Sequence, residues 1–250
     1  MRSLLIFLSL FLLSICGFSQ QNEKYLCPQP LSFEEEQLLL SFPDLIMPDS
    51  YRSKSIPYKV DHSESPHFRD MFAQSGMSCG QASSTGICFT YEMNAARELN
   101  ADNNANLYPT GFVYNWDAGD WGGNGVSYYH TLEVLRMVGT PNQEEYGGTI
   151  DAGGNLRWMT GYDLYYSAMQ NRISHAYKIN VANEDGLLIL KNWMNDHLTG
   201  DDDGGCAIFY STVPYPDGTL PTGTEDAGKQ VITELSASTS HSMAILGYND

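Results

Sequence analysis

The order of its periodic segments places this chain in the α+β class, with helical segments ahead of strands. Three observations carry the assignment. Residues 79–99, "CGQASSTGICFTYEMNAAREL", suit a long helix whose later turns hold Ala, Met, Glu, Arg and Leu. "VSYYHTLEVLRMVG", closed by Gly139, and "EDGLLILKNWMNDHL" are two further helices. The strand-like runs "CAIFYST" and "HSMAILGYND" come later, from residue 206 onward. Helices first and strands afterwards predict two lobes, one helical and one β-rich, with any site in the cleft between them.

The elements follow in chain order. Arg2, the apolar run "SLLIFLSLFLLSI" and a small-residue stretch ending at Ser19 read as a secretory signal over residues 1–19. The run is too short to span a bilayer, and no later segment is apolar enough to do so. The mature chain is therefore expected to be secreted, in the extracellular space or at the cell surface. Residues 20–55 form a polar lead-in or short pro-segment with one amphipathic piece, "SFEEEQLLLSF". The main domain is expected over 56–250, opening with the extended "SIPYKVDHS". Ser78 is placed to cap the 79–99 helix. Residues 100–126, rich in Asn, Asp, Gly and Trp, read as loop, and so does "GTLPTGTEDAGKQ". No internal repeat is present.

Composition narrows the function. The full chain carries a net charge of −17, which becomes −18 when Arg2 leaves with the signal. Such a surface repels nucleic acid and anionic membranes. The 231 residues left after removing 19 from 250 are enough for one good core, and a monomer is expected. Four cysteines remain beyond Cys16: Cys27, Cys79, Cys88 and Cys206. None sits in a metal-binding spacing, so no metal and no cofactor are expected.

Cys79 stands at a helix start in polar company, with Gln74 five residues upstream. The positive end of a helix favours thiolate, the nucleophilic form. Cys88 lies nine residues on, half a turn out of phase at about 100° per residue. Flanked by Phe89, it reads as a packed thiol. The structural alternative for Cys79 is a disulfide with Cys27 or Cys206. A nucleophilic cysteine also needs a base. His62, His67, His130, His175 and His197 read as ordinary histidines, whereas His241 opens an apolar strand that would hold it rigidly.

Four stretches in order resemble the papain-like cysteine peptidases. "IPYKVDHS" is similar to the start of that family's mature domain, and "QSGMSCG" to its oxyanion glutamine and nucleophile. "GGNGVSYYHTLEVLRMVGTPNQEEYGG" resembles its Gly-Gly loop, helix and Glu-x-x-Tyr segment, and "HSMAILGY" its histidine strand. The resemblance implies a papain-like two-lobe fold and a polypeptide substrate. It makes Cys79 the nucleophile, His241 the base, Gln74 an oxyanion donor, and Gly123 and Gly125 part of the substrate-binding cleft wall.

The chain departs from the family pattern in several places. Gln74 lies one residue closer to the nucleophile than usual, and Gly80 replaces an aromatic residue. The interval from Cys79 to His241 is 162 residues (241 minus 79), against roughly 130–150. The family's orienting Asn belongs well beyond the histidine, and Asn249 is too near to match, so truncation of the domain is expected. Two other readings compete. "GMSCG" fits the serine nucleophile elbow, with Ser78 as nucleophile, but the charged "HFRDMFAQ" ahead of it is not a buried strand. A catalytically silent papain-like scaffold would instead serve as a surface binding or adhesion module.

Overall fold

The computed structural model describes residues 33–74, 78–117, 127–147, 159–211, 218–231 and 241–250. Its centre is one long helical run, α2. It is α-helical over Cys79–Gln81, π-helical over Ala82–Phe89 and α-helical again over Thr90–Arg97. Serines and threonines explain the wide middle turns, because their hydroxyls compete for the helix's own carbonyls. Ser83 Oγ donates to the Cys79 and Gly80 carbonyls, and Thr90 Oγ1 donates to the Thr85 carbonyl at 3.0 Å, five residues back. Glu98 ends the run in a left-handed conformation, with φ 54°. Ser78 holds the N-cap position but makes no capping hydrogen bond, contrary to expectation.

Two hydrophobic clusters flank α2. On one side Phe89 packs with Tyr108, Phe112, Val113, Leu135, Tyr146 and Ala168. Tyr108 lies just ahead of α3 (Thr110–Asp117), and the rest come from α3, α4 (Tyr128–Met137), α5 (Gln143–Tyr146) and α6 (Tyr162–Gln170). On the other side Ile87, Cys88, Tyr91 and Ala95 pack with Cys206, and with Ile208, Ala244 and Leu246 of the strand region. The α2 run therefore separates a helical layer from a sheet layer. A long helix, α7 (Glu184–Asp196), precedes the strands and begins at Asn183, whose side chain accepts from the Gly186 N–H at 2.8 Å.

Two elements correct the sequence reading. Residues 110–117 were expected in a loop and form α3, and α6 was not anticipated. Both are weak helix formers in isolation, and burial decides the outcome: Thr110 and Val113 are fully buried.

Among the described residues the strands form three antiparallel pairs. The strand β1 (Lys59–Asp61) pairs with β6 (Gly247–Asn249), in the register Lys59↔Asn249. The longest pair joins β2 (Ala207–Ser211) to β5 (His241–Ile245), with Ala207↔Ile245 and Ser211↔His241. A small hairpin pairs β3 (Gly218–Thr219) with β4 (Gln230–Val231).

The described part of the lead-in is docked along the domain. Its helix α1 (Phe33–Ser41) packs against α4, and Phe42 is buried with Tyr128 and Tyr129. Lys178 Nζ donates to the Phe42 carbonyl at 2.7 Å, and the Leu45 N–H donates to the Lys178 carbonyl at 2.9 Å. Met47 and Tyr51 then pack on Leu198. Tyr51 Oη donates to the buried Asp196 carboxylate at 3.2 Å, and Lys54 pairs with the same group.

Candidate active site

Cys79 opens α2 and is 1% exposed. The Cα atoms of Cys79–Gln81 come within 8 Å of those of β5, the strand that begins at His241. One turn further along α2, Ser83 Oγ and Ser242 Oγ share a hydrogen bond of 2.7 Å. Because Ser83 also donates to the Cys79 carbonyl, this contact fastens the cysteine's own turn to the residue that follows His241. Sequence reading missed the pair. Its trace is two serines, one after each candidate residue.

The sulfur of Cys79 is in a disulfide. Cys88 and Cys206 carry free thiols, so the other half lies outside the described residues, and the expected alternative pairing with Cys206 does not occur. His241 is half-buried, and burial pushes its pKa below the ordinary histidine value.

Gln74 is half-buried in the loop ahead of α2. Gly123 and Gly125 lie outside the described residues. The other histidines are accounted for by structural roles. His62 is buried, donates Nε2–H to the Gly205 carbonyl at 3.2 Å and accepts from Tyr91 Oη at 3.0 Å. Burial lowers its pKa, consistent with a neutral ring. His67 Nδ1 donates to the Leu99 carbonyl at 2.7 Å. His197 donates Nδ1–H to the Asp203 carbonyl and sits 2.8 Å from Glu92 Oε2. His130 and His175 are exposed. Among the described residues, no group of three or more His, Cys, Asp or Glu side chains is placed to hold a metal ion, and no helix is long and apolar enough to cross a membrane.

No family model and no curated protein matches the chain. Solved structures do. Xylellain, a cysteine protease from Xylella fastidiosa, aligns over 91% of this chain and 80% of its own, with TM-score 0.54 and 12% identity. A procathepsin B from Trypanosoma congolense covers 89% of this chain and 75% of its own, at TM-score 0.52 and 13% identity. The digestive procathepsin L 3 of the Tenebrio molitor larval midgut covers 87% and 64%, at TM-score 0.51 and 14% identity. The helical run headed by Cys79, lying against the strand headed by His241, thus belongs to a chain with the fold of the papain-like cysteine proteases.

Proposed function

We propose that the protein is a secreted cysteine-type peptidase whose nucleophile, Cys79, is masked as a disulfide until it is reduced. The observation that carries this reading is the packing of the Cys79 turn of α2 against the His241 strand within a papain-like fold. After reduction, His241 takes the Cys79 proton, and the thiolate attacks a peptide carbonyl held in the cleft between a helical and a β-rich lobe. The Cys79 backbone N–H and the Gln74 amide stabilise the oxyanion. His241 then protonates the leaving amine, and water releases the acyl-enzyme. Gly123 and Gly125 line the cleft wall that pairs with the polypeptide substrate. Residues 20–55 act as a pro-segment, and the docking of residues 33–54 on the domain supports that role.

The Cys79 disulfide favours a second reading, a silent scaffold in which that bond is structural and the surface binds a partner. Turnover of an unstructured fluorogenic peptide separates the two. The wild type should be inactive as purified and gain activity on adding a thiol reductant. Cys79→Ala and His241→Ala should stay at least about a thousandfold below reduced wild type. A fully reduced, folded wild type with no turnover would support the scaffold and sink the peptidase.

A further inference from the structure

Cys88 and Cys206 are far apart in sequence and adjacent in the core. Cys88 lies in the π-helical part of α2, and Cys206 immediately precedes β2. Both are 7% exposed, and both belong to the cluster that joins α2 to the sheet layer. Cys88 Sγ donates to the carbonyl of Ala207, the residue after Cys206, at 3.6 Å. The backbone on the Cys206 side is held firmly. Its N–H donates to Glu92 Oε1 at 2.8 Å, and its carbonyl accepts from Trp193 Nε1 at 2.9 Å. The neighbouring Cys88 thiol and burial together raise the Cys206 pKa.

We propose that Cys88 and Cys206, thiols in this structure, are oxidised to a second disulfide that links the central helix to the sheet layer. The bond removes two weak S–H donors and leaves an apolar group in an apolar cluster. It closes a loop of 118 residues (206 minus 88), long enough for a large restriction of the unfolded chain. The chemistry needs a disulfide oxidant, such as a small-molecule disulfide or an oxidised dithiol catalyst. One cysteine thiolate attacks the oxidant and expels a thiol. The second thiolate attacks the resulting mixed disulfide and expels the other. Two electrons and two protons pass to the oxidant. Buried thiols are out of reach of the oxidant, so the bond forms during folding rather than in the finished core.

The test uses the full chain in a Cys79→Ala background, which removes the other disulfide and any self-cleavage. The protein is unfolded under reducing conditions, refolded with oxidised and reduced glutathione, alkylated and digested without reduction. The expected product is a cross-linked peptide pair containing Cys88 and Cys206. Alkylation of both thiols in the folded protein, or pairing of either with Cys27, overturns the proposal. Thermal unfolding supplies the second measurement. Refolding the background protein in reductant should lower Tm by roughly 5–15 °C, whereas a further Cys88→Ala/Cys206→Ala variant should show no reductant dependence. Equal sensitivity in the two proteins overturns it as well.

Discussion

Glu92 binds two different parts of the molecule through its two oxygens. Oε1 accepts the Cys206 N–H, and Oε2 faces His197 Nε2 at 2.8 Å. Burial works against charge on His197, but the Glu92 hydrogen bond and charge, with the Asp203 carbonyl, outweigh it and raise the pKa. A histidine whose folded pKa exceeds its unfolded value near 6.5 contributes stability that is complete below that value and is lost as pH rises through the folded pKa. Glu92→Gln keeps an oxygen for Cys206 and removes the charge. The variant should therefore lose about 1 kcal/mol at pH 6, with the deficit shrinking toward pH 9, as read by urea unfolding across that range. His62, with its lowered pKa, contributes the opposite slope; Glu92's charge holds that pKa up, so the substitution lowers it further and adds to the deficit at low pH. A deficit that grows with pH would refute the assignment. None of this was visible in the sequence, where His197 lies 105 residues from Glu92 and looks like a surface histidine.

The helical run α2 shows how far local pattern carries. Its start at Cys79 and its end near residue 98 were readable from composition and spacing, because Ala, Glu and Arg fill the last turns. Its π-helical middle was not. A phase count at about 100° per residue assumes α winding, and each residue in a π segment turns less than that. The assignment of Cys88 to a packed position nevertheless held, since burial follows its apolar neighbours. Gly86 marks where the segment meets the preceding loop. A Cβ there would stand 2.4 Å from the Phe72 ring tip and 3.1 Å from the Thr110 methyl. Gly86→Ala should cost about 1–3 kcal/mol by chemical denaturation, despite alanine's better helix propensity. Partial recovery in Gly86→Ala/Phe72→Leu would locate the clash, and a stabilised single variant would contradict this packing. The helix α3 lies at the other limit, since Gly111, Asn115 and Trp116 hide a helix that only its fully buried neighbours require.

At the scale of the whole chain, the papain-like fold was legible because four short stretches occur in family order, although overall identity to the solved structures is only 12–14%. The docking of the lead-in was not legible, because its anchors are single residues. Phe42 is one of them, 8% exposed and packed with Tyr128, Tyr129, Ile208 and Tyr210. Phe42→Ala should weaken the docked segment by about 3–5 kcal/mol. Limited proteolysis should then cut within residues 33–55 well before the domain unfolds. Cleavage at the wild-type rate would show that Phe42 does not anchor the segment. The β1–β6 pairing has a further consequence, which concerns the order in which the protein is made. Lys59 stands opposite Asn249 in the register, 190 positions later (249 minus 59). A ribosome delivers residue 59 long before residue 249, so β1 has no partner while nearly the whole domain is synthesised. The helical layer around α2, made of nearer neighbours in sequence, can condense first. The sheet layer therefore closes only after β6 has been delivered, which makes it the late-forming half of the fold.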